Sequence, residues 1–347
     1  MRDDHSDSQL RETFFQLGFV TGSDHLLPLL RRARKAADVS DVTVLLEGET
    51  GTGKQVLAHA IHMLDGKRGA FSFVTVHCST ISEALAESEL FGHQRGAFSG
   101  ALSNRKGLFQ SGRSGTLFLD DVNDLPLTLQ PKLLDVLQRR TVRPVGSDTE
   151  VPVDVRIIAA ANRPLEPLVR EGRFRPDLYH RLNVVRLEIP PLRGRRGDLA
   201  SLLLAFAHRH SALYQPVATV EPELLRFLES LPLLGNVREL ENTLQRMLFL
   251  KIEGTSLTMD DWIRQLESEA VQDEVDLLAE SASGVWRTIS NRGVSYDQAL
   301  QEVERHVLEA AISVPGSTRR QIARQLHISE RALYYKMRAC GIATRMR

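Results

Sequence analysis

The sequence predicts an α/β sandwich built on a parallel sheet, a small helical subdomain behind it, and a separate all-α unit containing a helix-turn-helix. Three observations carry this. Between about residue 42 and about residue 190, short apolar runs alternate with helical patterns, as repeated βαβ units require. From Asp198 to about Leu250 the pattern is helical throughout. The last 33 residues hold eight Lys and Arg against Glu330 alone, a balance of +7, and begin beside a capping box.

Taken in order, the first seventeen residues are mixed and polar around Phe14, Phe15 and Leu17, too few to fold as a sensor domain. Val42 to Leu46, Phe73 to Val76, Thr116 to Leu119 and Val155 to Ala160 are short, largely apolar runs bounded by polar residues or glycine. They read as strands buried on both faces. Helical periodicity fills Leu57 to Leu64 and Leu127 to Leu137, so residues 18–190 form the α/β body and 191–264 the helical subdomain. Between Gln265 and Trp286 stand six acidic residues and no Lys or Arg, together with Ser281-Ala282-Ser283-Gly284. Residues 265–294 are therefore expected to be a solvated acidic linker. Ser295 and Gln298 form a capping box that opens a helix with Leu300, Val303, Val307 and Ala310 on one face, and 295–347 make the last domain.

Composition bounds the function. A length of 347 residues is over twice a domain of about 150, and 42% hydrophobic with 25% charged residues is ordinary for a globular protein. No apolar run approaches the roughly 20 residues that span a bilayer, and the start has no apolar signal segment, so a cytoplasmic location without membrane partners is expected. Two cysteines, Cys78 and Cys340, are too few for a disulfide framework or a zinc site. The 44 basic and 44 acidic residues cancel, which taken alone argues against a nucleic-acid partner; the basic C-terminus and the acidic stretch before it reverse that inference.

Gly48-Glu49-Thr50-Gly51-Thr52-Gly53-Lys54 follows an apolar run and precedes a helical one. In that context the glycines let backbone amides close around phosphates, Lys54 supplies charge at the β- and γ-phosphates, and the helix N-terminus adds its dipole. The usual next residue is Ser or Thr for Mg2+; here it is Gln55, so magnesium must lean on other ligands. Thr116 to Leu119 ends in Asp120 and Asp121. The first suits holding Mg2+ through water, and the second suits polarising the water that attacks the γ-phosphate of ATP.

The run from Glu87 to Ala101, containing Gly96-Ala97-Phe98-Ser99-Gly100-Ala101, resembles the signature loop of bacterial enhancer-binding proteins, the AAA+ activators of sigma-54 RNA polymerase. Gly172 to Asn183, Pro190 to Arg193 and Gly235 to Asn242 continue the resemblance, which covers about residues 18 to 250 and resumes in the C-terminal helices. It implies an AAA+ P-loop sandwich with a lid subdomain and a Fis-type helix-turn-helix. By the resemblance, Gly96 to Ala101 contact sigma-54, with Phe98 presented by small residues. Arg175 and Arg181 match arginine fingers that act on a neighbouring subunit's nucleotide, Asn162 the first sensor, and Arg238 the second sensor on the lid. Fingers acting between subunits imply a ring, a hexamer with dimers at rest, and the family's enhancer DNA and sigma-54 polymerase as partners. An N-terminal regulatory domain, common in the family, has no room here, which leaves expression level, a regulatory protein acting in trans, or nucleotide as the control.

Several positions depart from the family pattern. Asp121 replaces Glu, His77 replaces an Asn that orients that Glu, Ala161 replaces Thr in the first sensor, Ser99 replaces Thr in the loop, and Gln94 replaces a common Glu. A carboxylate displaced by about 1 Å costs around a hundredfold in rate, so reduced turnover is expected unless His77 orients Asp121. The alternative that follows is a DNA-binding regulator on the same scaffold with weak or no hydrolysis, or one independent of sigma-54.

In the last domain, Thr318 and Gln321 form a capping box for a helix carrying Ile322, Ala323 and Leu326, and after a turn at His327-Ile328, Ser329 caps the next. Leu333 and Met337 face inward. Arg319, Arg320, Ser329, Arg331, Tyr334, Tyr335 and Arg338 are the candidates for groove and phosphate contacts on double-stranded DNA. His327 stands where the family has Gly, and Glu330 and Ala332 where it has Arg and Thr. The exposed face on Leu300, Val303 and Val307 would pair two subunits over a palindromic site.

Overall fold

The computed structural model describes residues 2–80, 83–211, 214, 216–267, 283, 284, 286, 287, 289–291, 293–313, 318–326 and 328–342. Two compact units divide the chain, Met1–Gln265 and Leu266–Arg347.

In the first unit, β1 (Val44–Glu47), β2 (Phe73–His77), β3 (Thr116–Asp120), β4 (Arg156–Ala161) and β5 (Val185–Glu188) form a five-stranded sheet in the order β2-β3-β4-β1-β5. Every neighbouring pair is parallel, with Leu46 level with Ala160 on one side and Leu187 on the other. The alternation of side chains sends Leu45, Leu117, Leu119, Ile157 and Ala159 into one core and Val44, Leu46, Phe118, Ile158 and Ala160 into the other. All six residues of β4 are buried, Arg156 among them, and the five after Arg156 are apolar. β2, expected to be buried on both faces, lies at a sheet edge and is mostly half-buried. β5, at the other edge, escapes such a reading because half of it is charged. Val185 and Leu187 join a core while Arg186 and Glu188 alternate with them, leaving only two apolar residues in four.

The opening residues, read from the sequence only as a short polar segment, are helical. Arg2–Gln16 is a helix, and Phe14 is fully buried with Phe19 in the core behind β1 and β4. At the far end of the sheet, Arg156 and Asp65 are paired at 2.6 Å with both side chains fully buried, and Arg156 also donates to the Ala36 carbonyl at 2.7 Å. Three helices, Leu199–His210, Pro222–Ser230 and Asn236–Leu250, pack around Leu203, Phe206, Leu224, Leu240 and Met247 to form the lid.

In the second unit, helices Tyr296–Ile312, Arg319–Gln325 and Glu330–Ala339 enclose Leu308, Ile322, Ala323, Leu333 and Met337. Both expected capping boxes form, at Ser295 with Gln298 and at Thr318 with Gln321. Within the segment expected as a linker, residues 265–267, 283, 284, 286, 287 and 289–291 are helical. The rest of its acidic stretch, residues 268–282, lies outside the described residues, as do His327, Arg345 and Arg347. Cys78 and Cys340 are both free thiols. Among the described residues no helix is long and apolar enough to cross a membrane.

Candidate nucleotide, partner and DNA sites

The loop from Gly48 to Gly53 joins the end of β1 to the helix Lys54–Met63. Gly51 has φ +79°, and a Cβ there would stand 2.2 Å from the Gly235 carbonyl, so glycine alone fits between the loop and the lid. Thr52 turns its hydroxyl onto the Glu49 carbonyl at 2.8 Å, and Lys54 Nζ donates to the carbonyls of Gly48 and Glu49 at 2.7 and 3.0 Å. Thr50, Gly51, Gly53, Lys54 and Gln55 line an open cleft of about 230 Å³, faced by Asp120 and Asp121 from the end of β3 and by Arg238 from the lid. Burial pushes the Lys54 ammonium below its ordinary pKa, against the opposing pull of Asp120 and Asp121. The sequence-predicted nucleotide residues thus converge on one cleft from three parts of the chain.

Asp121 adopts a left-handed conformation, φ +51°, where the chain leaves β3. Asn162 Nδ2, just beyond β4, donates to Asp121 Oδ1 at 3.0 Å, and Asn162's own amide donates to Asn123 Oδ1 at 3.1 Å. The compensation by His77 does not form. In the parallel register of β2 and β3 His77 stands opposite Asp120, and its Nδ1 lies 3.4 Å from Asp120 Oδ2. Asp121 is held by Asn162, and His77 lies beside Asp120. Among the described residues no group of three His, Cys, Asp or Glu could hold a metal alone. Asp120 offers carboxylate oxygens in the same cleft as Lys54, the donor chemistry that suits Mg2+ shared with phosphate oxygens.

Contacts that the sequence does not reveal lock the lid onto this loop. Arg193 binds Glu49 through two bonds of 2.5 and 2.7 Å, which with an Asn236 hydrogen bond holds the Glu49 carboxyl at a pKa of about 2. Asn236, fully buried, donates to Glu49 Oε2 at 3.2 Å and to the Thr50 carbonyl at 3.0 Å while its own oxygen accepts from the Leu192 amide at 2.8 Å. Arg195, also buried, donates to the Thr52 carbonyl at 2.7 Å.

Arg175 and Arg181 stand outside the cleft of their own chain. Arg175 caps the helix Pro176–Leu182 and pairs with Asp177 at 2.7 Å, exposed to solvent. Arg181 donates to the Leu137 carbonyl at 2.8 Å, at the end of the helix Gln130–Arg139.

The loop from Gly96 to Ala101 closes on itself through a Gly96 amide to Ala101 carbonyl bond of 2.9 Å and an Ala101 amide to Phe98 carbonyl bond of 3.0 Å. Gly100 has φ +113° and nothing within 4 Å of where a Cβ would lie, so the turn depends on backbone freedom alone. Phe98 is 40% exposed, with its ring edge-on to His93 at 5.0 Å, and Leu102 beside it is 86% exposed. Ala97, Ser99 and Gly100 add no bulk around the ring. A second hairpin backs the loop: Gln94 bonds Val145 through the backbone at 3.0 Å and Ser147 Oγ through its side chain at 3.0 Å.

In the C-terminal unit, Ser329 Oγ accepts from the Ala332 amide at 3.1 Å and starts the helix that buries Leu333 and Met337. Arg331, Tyr334, Tyr335 and Arg338 stay exposed, with Arg331 stacked over the Tyr335 ring at 5.8 Å. Arg320 is exposed and Arg319 half-buried on the preceding helix. Leu300, Val303 and Val307 are 40 to 49% exposed on the helix Tyr296–Ile312.

A P-loop sheet, a helical lid and a short basic helix-turn-helix together define the class of AAA+ ATPases fused to a DNA-binding unit. The chain matches the Sigma-54 interaction domain over residues 19–188, the AAA+ ATPase lid domain over 193–277, and the bacterial regulatory protein, Fis family, over 299–339. It is 36% identical to the regulatory protein AtoC of Escherichia coli over 336 residues, which is 96% of this chain and 70% of AtoC. Over 240 residues it is 45% identical to the sigma54-dependent transcriptional activator SfnR of Pseudomonas putida, covering 68% of this chain and 64% of SfnR. The crystal structure of NtrX from Brucella abortus in complex with ATP superimposes with a TM-score of 0.68 at 27% identity, over 98% of this chain and 72% of that one. The chain belongs to the sigma-54-dependent family of transcriptional regulators.

Proposed function

We propose that this protein is an ATP-driven activator that binds enhancer DNA, assembles from dimers into a hexamer, and remodels sigma-54 RNA polymerase for open-complex formation. The observation that carries the reading is the division of charged groups. Lys54, Asp120, Asp121 and Arg238 share one cleft, while Arg175 and Arg181 stand outside it on the finger helix, available to a neighbour. Lys54 and the Gly48 to Gly53 amides bind the phosphates of ATP. Asp121, fixed by Asn162, orients the attacking water and takes its proton, and fingers from the next subunit stabilise charge on the γ-phosphate. Through water, Asp120 would hold Mg2+, which when bound neutralises phosphate charge. The Gly96 to Ala101 loop offers Phe98 to sigma-54. Arg319, Arg320, Ser329, Arg331, Tyr334, Tyr335 and Arg338 engage the duplex, and the face on Leu300, Val303 and Val307 pairs two DNA-binding units.

In vitro transcription from a sigma-54 promoter with enhancer DNA tests this. Open complexes should form with ATP, and Phe98→Ala should abolish them while sparing ATP hydrolysis. Bound DNA and hydrolysed ATP without open complexes from the unaltered protein would overturn the reading. That outcome would support instead a regulator independent of sigma-54; absent hydrolysis would support one working through nucleotide binding, as the short Asp121 side chain favours.

A further inference from the structure

Four charged or hydroxyl-bearing side chains join the phosphate loop to the helix that carries Arg175 and Arg181, and the reaction described above uses none of them. Glu47, the last residue of β1, directly precedes Gly48 and is 2% exposed. Its Oε1 accepts from the Leu165 amide at 3.0 Å, at the start of the helix Leu165–Arg170 that follows Asn162. Its Oε2 lies 2.6 Å from Arg186 Nε on edge strand β5, an ion contact without hydrogen-bond alignment, so this buried oxygen has no donor aimed at it. Arg186 reaches onward through NH1 to Glu166 Oε1 at 2.9 Å. The same Glu166 oxygen accepts from the Tyr179 hydroxyl at 2.7 Å, and Tyr179 sits midway along Pro176–Leu182 between the two arginines. Asn183 Nδ2 donates to the Tyr179 oxygen at 2.8 Å and completes the chain.

The chemistry of these links is directional. A buried carboxylate oxygen without an aligned donor is costly, and Glu47 Oε2 has only the Arg186 charge beside it, so any shift of Gly48 that drags Glu47 changes the charge balance on Arg186. Glu166 is shared by Arg186 and Tyr179 through a single oxygen. A guanidinium that moves toward Glu47 therefore withdraws from the group that fixes the Tyr179 hydroxyl. Tyr179 is held from two sides by polar partners, and its ring is buried, so its helix has a defined rotation only while the hydroxyl is satisfied.

We propose that Arg186, Glu166 and Tyr179 are positioning residues that couple the phosphate loop of one subunit to the finger helix the same subunit presents to its neighbour. The inference rests on the reading that Arg175 and Arg181 act between subunits. It assigns the link a direction: the loop of each subunit sets the competence of the next subunit's site, so hydrolysis is passed around the assembly in order.

Mixed assemblies of the full-length chain test it. Tyr179→Phe keeps the ring and removes only the hydroxyl. Its nucleotide affinity should be unchanged, its turnover should fall by roughly tenfold as misplaced groups do, and its Hill coefficient for ATP should fall toward 1. Doping it with Asp121→Asn chains, which bind ATP, keep the loop and bring intact fingers but do not hydrolyse, should restore turnover at the Tyr179→Phe sites they neighbour. Weakened ATP binding, or a defect that such doping leaves in place, would place the fault in the variant's own cleft and overturn the proposal. Chains with Arg175→Ala and Arg181→Ala, doped in the same way, separate the two inferences: without rescue there, the fingers do not act between subunits and the coupling falls for that reason. Glu166→Gln, which keeps an acceptor for Tyr179 but no charge for Arg186, should lower the Hill coefficient more than the turnover.

Discussion

At the scale of single residues, the cleft separates what a motif can disclose from what it cannot. Lys54 and the Asp120-Asp121 pair are legible because contiguous residues do the work, a glycine loop before a helix or acids ending a strand. Asn236 and Arg193 are not: their bonds to Glu49 span 187 and 144 residues, and no local spacing encodes a contact made only after the lid has folded down. The same limit explains the His77 error. Its neighbour is decided by strand register, which pairs it with Asp120 and leaves Asp121, turned away by its left-handed backbone, to Asn162. One methylene now matters, since Asp121 is short and its orientation is fixed at a single oxygen. Asp121→Glu should raise steady-state ATP turnover by up to about a hundredfold with unchanged nucleotide affinity, as expected when a carboxylate moves by about 1 Å toward its reacting position. Equal or slower turnover would mean that Asn162 already holds the shorter acid where the reaction needs it.

At the scale of elements, the apolar strands were readable, the half-buried edge strand β2 among them, and β5 was not, because a four-residue strand that gives every second position to an ion-pair network carries almost no hydrophobic signal. The buried Arg156 and Asp65 pair was equally hidden: in the sequence they are one cation after a valine and one acid before a glycine. Together they tie the start of β4 to the residues after the helix Lys54–Met63, with Arg156 also holding the end of the helix Leu27–Ala37. Arg156→Met leaves Asp65 buried without its counter-charge and should cost about 3–5 kcal/mol, read as a lower denaturant midpoint. Burial alone would raise the Asp65 pKa, but bonds from Ser40, Arg156 and the Lys67 amide outweigh it and hold the carboxyl below its ordinary value. A depressed carboxylate contributes stability that is complete above the unfolded pKa of about 3.9 and is lost as pH falls through the folded value. Without Arg156, burial leaves the Asp65 pKa raised. On acidification the deficit of Arg156→Met should therefore begin to narrow above about pH 4, as the variant's Asp65 takes up a proton, and go on narrowing as pH falls through the depressed pKa of the unaltered protein. A deficit that stays constant with pH would mean lost packing, not lost charge, sets the cost.

At the scale of the whole molecule, a net charge of zero holds in each of the two compact units, and in the second it conceals an acidic stretch set against the basic C-terminal reader. Inside the first unit, the α/β body and the lid have separate hydrophobic cores and could each melt alone. One fully buried amide stands between them. Asn236, at φ +57°, gives its oxygen to the helical turn that opens the lid at Leu192 and its nitrogen to Glu49 and Thr50 of the phosphate loop. Calorimetry makes the consequence visible. With Asn236 in place the unit should absorb heat in one cooperative transition, its calorimetric and van't Hoff enthalpies equal. Asn236→Ala, losing both the bonds and the residue type that tolerates a left-handed backbone, should split that peak in two, whereas Asn236→Gly, which keeps the backbone and loses only the bonds, should broaden it. A single unbroken peak for both would assign the cooperativity to the Arg193 and Arg195 contacts instead.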